Sequence, residues 1–254
     1  MWDWLSKAKE LRDAGQPFAL VTIVGVKGST PRDAGAKLLV ERDGSFHGTV
    51  GGGQLEQLVI QDAVAALAEA VSRPRHYPLC FRTGQCCGGA VESFIEIVGV
   101  GPRLYLFGAG HVGRSLCQTL AETPFTVHLI DERDAWVSSP EIPTGVVRHA
   151  QPWHEFVQEA AWDKERTYVA VMTHEHALDL AIIRDVIERP ARFIGLIGSV
   201  TKWDRFRQRL AALGANEDMM GRVHCPIGSG RFGKAPREVA ISVAAQLLEL
   251  HHGD

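Results

Sequence analysis

Several short stretches of the chain carry residue types whose spacing could do chemistry. In Gln85-Cys86-Cys87-Gly88-Gly89 two neighbouring thiols sit among glycines. A thiolate is a soft ligand and a nucleophile, and flanking glycines let a bulky partner approach the backbone. No other cysteines are spaced to complete a zinc or iron–sulfur set, and at least one of the pair is expected to be a small buried hydrophobe. Gly51-Gly52-Gly53 precedes a helix with Glu56 in its first turn. Successive glycine N–H groups there can form an anion nest, with a structural turn as the competing reading. Gly108-Ala109-Gly110-His111-Val112-Gly113 follows the apolar run Leu104-Tyr105-Leu106-Phe107, and Asp131 closes the next apolar run. Glycines so spaced suit a tight turn, close approach of a phosphate and helix–strand contact.

Two further stretches are polar. Thr173-His174-Glu175-His176 with Asp179 offers nitrogen and oxygen ligands. That falls short of a zinc set, so His174 and His176 are read as groups that hydrogen-bond a ligand in a crevice. Gly195-Leu196-Ile197-Gly198-Ser199 leads into Lys202. Small residues, a hydroxyl and a cation at a helix start suit an anion, the alternative being a tight turn with a solvated lysine. Ser29, Thr173 and Ser199 have no base at a diagnostic spacing, and no nucleophile–His–acid triad shows. The inventory is that of a binder, with no catalytic residue and no metal-ligand set assigned.

The elements that must position these groups fall into two patterns. Up to about residue 100 the reading is mixed. Asp3 caps a helix ending near Gly15, a strand runs from Phe18 to Val26, and residues 36–41 and 45–50 form a hairpin turned at Asp43-Gly44. A helix follows to about 71, then strand-like sequence over 73–98 around a turn at Gly84–Gly89. From 101 strands and helices alternate, beginning with a strand over 103–107 and a helix over 111–122. That rhythm predicts a parallel sheet with covering helices. The expected fold class is α/β: a C-terminal Rossmann-like, doubly wound parallel sheet over 101–254, preceded by a smaller mixed α+β domain over 1–100.

Composition narrows the function classes. The 254 residues are 45% hydrophobic and 22% charged, with a net charge of −3, so no polyanion-binding field shows and nucleic acid is a poor partner. No apolar run approaches the ~20 residues that span a membrane, and the N-terminus lacks a signal-peptide pattern. The five cysteines are odd in number and unevenly spaced. A thiol-reduced, cytoplasmic protein is expected.

Taken in order, the motifs resemble a specific family. Gly28-Ser29-Thr30-Pro31-Arg32 through Gly35-Ala36-Lys37, Gly48-Thr49-Val50-Gly51-Gly52-Gly53, Gln85–Gly89, Gly108–Gly113, Thr173–His176, Gly195–Ser199 and Cys225-Pro226-Ile227-Gly228 match the XdhC/CoxI family. These are accessory proteins of molybdenum hydroxylases such as xanthine dehydrogenase, and the resemblance covers nearly the whole chain. It implies a carrier rather than an enzyme. Such a carrier binds the molybdenum cofactor (molybdopterin) and protects it during sulfuration. It works beside a cysteine desulfurase and delivers the cofactor to the apo molybdenum hydroxylase. Cys86 or Cys87 is then the metal-side contact, Cys86 slightly favoured. The cofactor-binding residues expected are Gly51, Gly52, Gly53, Gln85, Cys86, Cys87 and Gly88, with Gly108, Gly110, His111, Gly113, Asp131, His174, His176, Gly198, Ser199 and Lys202. A homodimer is expected. The sequence departs from the family at Ser229–Gly233, which lacks the usual leucine, and at Ala235, where an acid is common. Residues alone also leave open an NAD(P)-dependent oxidoreductase built on Gly108–Gly113 and Asp131. A nucleotide-sensing module ranks behind both, since it leaves Gln85–Gly89 idle.

Overall fold

The structure is a computed structural model, and it describes residues 3–79, 89–230 and 233–253. The chain divides into two compact units, Met1–Val100 and Gly101–Asp254. The N-terminal unit is built on a five-stranded sheet in the order β3-β2-β1-β5-β4. Its strands are β1 (Phe18–Lys27), β2 (Lys37–Glu41), β3 (Phe46–Gly48), β4 (Arg73–Pro78) and β5 (Ala90–Val98), and the paired neighbours are antiparallel. Alternation sets the two faces. Ala19, Val21 and Ile23 of β1 join Leu38, Val40, Val91 and Ile95 under α2 (Gly53–Glu69), whose Leu55, Val59, Ala63 and Leu67 complete one core. Each such leucine or valine contributes roughly 1.5–3 kcal/mol by leaving water. Phe18 and Leu39, one residue out of phase with that set, pack instead with Leu11 of α1 (Trp4–Asp13). Asp3 caps α1, its carboxylate accepting from Leu5 N–H at 3.1 Å.

The C-terminal unit is a six-stranded parallel sheet ordered β11-β10-β9-β6-β7-β8. Its strands are β6 (Arg103–Phe107), β7 (Thr126–Ile130), β8 (Val147–His149), β9 (Asp163–Val171), β10 (Ala191–Leu196) and β11 (Val223–His224). The order reverses between β6 and β9, as in a dinucleotide-binding doubly wound sheet, so the crevice for a ligand opens beyond the carboxyl ends of those two strands. Helices cover both faces: α3 (His111–Thr119), α4 (Asp134–Val137), α5 (Trp153–Glu159), α6 (His176–Val186), α7 (Val200–Ala212), α8 (Glu217–Gly221) and α9 (Pro236–His252).

Because both faces are buried, successive residues of one strand feed different cores. Leu104, Leu106, Leu129 and Ala170 pack with Leu116 of α3 and Val243 and Leu247 of α9. Tyr105, Phe107, Val169 and Val171 pack with Ile182 and Ile183 of α6 and Phe206 and Leu210 of α7. The fold is therefore the α/β architecture with a C-terminal doubly wound parallel sheet. Differences from the sequence expectation lie at the ends of elements. The first helix of this sheet stops at Thr119 rather than 122, and β9 starts at Asp163 rather than 167 because Asp163 pairs with Ala191.

Candidate functional site

The glycine loop after β6 uses each of its glycines differently. Gly108 sits at φ +115°, and a Cβ there would lie 2.5 Å from the Met172 carbonyl oxygen and 3.1 Å from Thr173 Cα. The chain thus turns against the end of β9, where Met172 N–H donates to Phe107 O at 2.9 Å. At Gly113 a Cβ would collide with the Gly108 carbonyl oxygen, so only glycine lets α3 come this close to the loop. Gly110 is different: a Cβ there would have nothing within 4 Å, and the residue supplies no side-chain cap to α3. The loop is closed on the protein side and open where a phosphate would approach.

Asp131 ends β7 and is tied to this loop. Its side chain is 6% exposed. The carboxylate accepts from Ala109 N–H at 2.8 Å, Arg133 N–H at 3.1 Å, and Arg133 Nε and Nη2 at 2.8 and 2.6 Å. Burial pushes the Asp131 carboxyl up, but the Arg133 guanidinium and these N–H donors outweigh it and hold the group below the usual carboxylate range. Arg133 lies over the Trp136 ring at 4.7 Å and Arg114 lies over it at 5.0 Å. His111, the first residue of α3, shares a 3.0 Å contact between its Nδ1 and Arg114 Nη2. Asp131 therefore acts here as the clasp between β7 and the glycine loop.

The loops after β9 and β10 form a second cluster. Asp179 is 1% exposed on its side chain and accepts from Thr173 N–H at 3.0 Å, Thr173 Oγ1 at 2.6 Å and Lys202 Nζ at 2.6 Å. Lys202 Nζ also donates to Ile197 O at 2.8 Å. Neither reading of Lys202 from sequence anticipates this, since the ammonium is neither solvated nor turned out toward an anion. Gly198 makes room for its stem, a Cβ there falling 2.6 Å from Lys202 Cδ. Ser199 caps α7, its hydroxyl accepting from Lys202 N–H at 3.2 Å. With Asp179 so engaged, His174, His176 and Asp179 do not converge, and among the described residues no group of three such side chains is placed to hold a metal. Burial pushes the nearby Cys225 thiol up to about 11, with Lys202 opposing and Asp179 adding to the rise.

Between these clusters lies a cleft at the carboxyl ends of β6, β7 and β9. Phe107, Ile130, Trp153, Leu178 and Ile182 give it an apolar wall, while Gly108, Asp131, Glu132, Thr173 and His174 edge it. His174 thus reaches the cleft, and His176, exposed at the start of α6, is not among its lining residues. Sequence reasoning passed over Glu132 and Trp153, and it named Asp179 and Lys202 without their pairing. The run Asp131-Glu132-Arg133 directly after an apolar strand was the available signal.

In the N-terminal unit the motif loops meet at one end of the sheet. Thr22 pairs with Lys37, Lys27 with Ala90 and Leu38 with Gly48, which brings the ends of β1 and β3 and the starts of β2 and β5 together. A Cβ on Gly51 would overlap the Pro31 ring, and one on Gly89 would overlap Ser29 O and lie 2.6 Å from Lys27 O. Leu79 N–H donates to Gly89 O at 2.9 Å. Residues 80–88, with Gln85, Cys86, Cys87 and Gly88, lie outside the described residues, and their flanks are held at this end. The triple-glycine loop is turned onto Glu56, whose Oε2 accepts from Thr49 Oγ1 at 2.5 Å, Val50 N–H at 3.1 Å and Gly52 N–H at 3.3 Å. A carboxylate of the chain itself thus occupies the nest expected for an external anion. Beside it lies an open cleft edged by Arg32 and Lys37, the latter donating to Thr22 Oγ1 at 2.9 Å and lying over the Trp4 ring at 5.0 Å.

Comparison with known proteins adds to this geometry. Residues 104–247 match the profile of the XdhC Rossmann domain, and residues 11–78 match that of the XdhC and CoxI family. A protein of Escherichia coli K12 named "uncharacterized protein YqeB" is 35% identical over 252 residues, covering 96% of this chain and 46% of that protein. A protein of Bacillus subtilis 168, named as a probable subunit of xanthine dehydrogenase, is 28% identical over 156 residues, 61% of this chain and 45% of that one. The matched stretches span under half the length of each of these two relatives. In fold it is similar to a crystal structure described as a xanthine dehydrogenase from Bacillus halodurans. The TM-score is 0.52 at 21% identity, over 96% of this chain and 94% of that one.

Proposed function

The chain belongs to the XdhC and CoxI family, and from that premise we propose that it is an accessory protein of a xanthine dehydrogenase that carries the molybdenum cofactor (molybdopterin). It holds the molybdenum-bearing pyranopterin phosphate while a cysteine desulfurase supplies sulfur, then hands it to the apo molybdenum hydroxylase. It has no turnover of its own, and it acts in the cytoplasm as a homodimer.

The observation that carries this reading is the meeting of the Gly28–Lys37, Gly48–Gly53 and Gly89 segments at one end of the N-terminal sheet. Glycine against proline and glycine against backbone bring these loops into contact, beside the flanks of the thiol-bearing stretch. The thiol of Cys86 or Cys87 supplies the soft ligand that molybdenum and sulfur chemistry favours. For the phosphate, Arg32 and Lys37 edge the open cleft with two cations. The amides at Val50 and Gly52 are held by Glu56, and Gly51 lets this loop fit under Pro31.

The test compares Cys86→Ala and Cys87→Ala with the parent protein, each purified from cells that make the cofactor. At least one variant should retain at most about a tenth of the parent's pterin, the loss of a coordinating contact costing on the order of 1.4 kcal/mol or more. Full retention by both variants would remove the thiols from the account.

A further inference from the structure

The open cleft beside the triple-glycine loop holds an acid that the fold leaves unused. At three other loops the protein occupies its own acids. Glu56 accepts from the Val50 and Gly52 amides, Asp131 from Ala109 and Arg133, and Asp179 from Thr173 and Lys202. Asp33 is exposed and edges the cleft with Trp4, Arg32 and Lys37, and its carboxylate has no hydrogen bond or ion pair among the described residues. Its backbone is fixed all the same. Gly35 N–H donates to Ile23 O at 2.8 Å, Ile23 N–H to Ala36 O at 2.9 Å and Ala36 N–H to Asp33 O at 3.3 Å. Thr30 Oγ1 donates to Arg32 O at 3.2 Å. A free carboxylate therefore stands on a pinned loop, so little ordering is left for a ligand to impose. Trp4 is the first residue of α1, and the Asp3 cap holds that turn. Its ring is half-buried against Leu11, Phe18 and Leu39, and Lys37 Nζ lies 5.0 Å from the ring centroid.

We propose that Asp33 reads the 2-amino-4-oxopyrimidine edge of the pterin while Trp4 packs against its ring; this rests on the carrier reading and names the part of the cargo that the cleft recognises. That edge presents two adjacent N–H donors, the exocyclic amine and the ring N3–H. A carboxylate accepts both side by side, one on each oxygen, as it does a guanidinium. The indole supplies a flat apolar surface for a bicyclic ring. A 2,4-dioxopteridine has the same size and shape but carries a carbonyl where the pterin has its amine. One oxygen of Asp33 would then face a second acceptor, and the polar groups of both partners would be left unpaired. The cleft selects its ring by the order of donors and acceptors rather than by bulk.

Calorimetric titration of the full, cofactor-free chain with 6-hydroxymethylpterin and 6-hydroxymethyllumazine tests this, below neutral pH where both rings are uncharged. Neither probe carries a phosphate, so the ring is read apart from Arg32 and Lys37. The pterin should bind saturably and the lumazine at least about tenfold more weakly, because a site built to accept a donor penalises its replacement. Asp33→Asn offers one acceptor and one donor, the pattern that suits N3–H beside a carbonyl, so it should reverse the preference. Asp33 is exposed, and this variant should melt with the parent. Trp4→Leu keeps an apolar group against Leu11 but removes the ring, and should weaken pterin binding by about fivefold or more. The proposal is overturned if the pterin does not bind, if the lumazine binds as well, if Asp33→Asn leaves the preference unchanged, or if Trp4→Leu binds as the parent does. Molybdenum content of the parent reports on the carrier reading separately. A loaded protein whose preference survives Asp33→Asn keeps that role and loses this assignment, and an empty protein that still prefers the pterin loses the role and keeps the site.

Discussion

The three loop glycines should respond very differently to the same small change. Alanine at position 108 must adopt φ +115° and place its Cβ 2.5 Å from the Met172 carbonyl oxygen, a backbone atom that cannot rotate away. Backbone strain of this kind costs about 1–3 kcal/mol, and overpacking against a fixed neighbour adds about 1–3 kcal/mol. Gly108→Ala should therefore lose roughly 2–6 kcal/mol. Alanine at 113 meets the Gly108 carbonyl oxygen and should lose a similar amount. At 110 a Cβ has nothing within 4 Å and φ is −65°, so only the poorer helix-capping preference of alanine counts, at about 0.5–1 kcal/mol. Differential scanning calorimetry reads the contrast, since about 1 kcal/mol moves the midpoint by some 2–4 °C in a domain of 150–250 residues. Gly108→Ala and Gly113→Ala should melt about 4–24 °C below the parent, with Gly110→Ala within about 4 °C of it. Equal effects at 108 and 110 would refute the claim that one glycine serves the protein and the other the ligand.

Other consequences follow from groups already described. Lys202→Met leaves Asp179 buried without its cation and should cost about 3–5 kcal/mol, with most of that recovered when Asp179→Leu is added, as thermal melts of the single and double variants would show. Burial pushes His128 down to about 3, its Nδ1 lying 3.1 Å from His149 Nε2. The unfolded chain takes up this proton near pH 6.5, so the stability from neutral His128 is complete above that and is lost as pH falls from 6.5 toward 3. The slope is about 1.4 kcal/mol per pH unit, and His128→Phe should flatten it in denaturant titrations. Cys225, with its thiol pushed up to about 11, should be alkylated by iodoacetamide at pH 8 far more slowly than free cysteine, as mass spectrometry would record.

The parallel sheet was legible because its strands are buried on both faces and punctuated by glycine. The strand read from sequence at 103–107 is β6 to the residue. Among the described residues two helices escaped notice, Asp134–Val137 and Glu217–Gly221, since four or five residues cannot display a helical period. Residues 163–166 show no alternation, and they extend β9 through pairing with a distant segment. At the site, residue types were legible while their partners were not. Nothing in local spacing says that Glu56 turns back onto the Val50 and Gly52 amides, or that Lys202 turns inward to Asp179 across 23 residues of chain. Those choices are made by packing between elements, and they redirect Asp131 from ligand binding to holding a loop.

The carrier role is tested most directly by the metal and pterin content of the parent protein isolated from cells that synthesise the cofactor. Elemental analysis and pterin fluorescence should find molybdenum and pterin together, near one of each per chain. Protein isolated empty under conditions that load an established carrier would contradict the account.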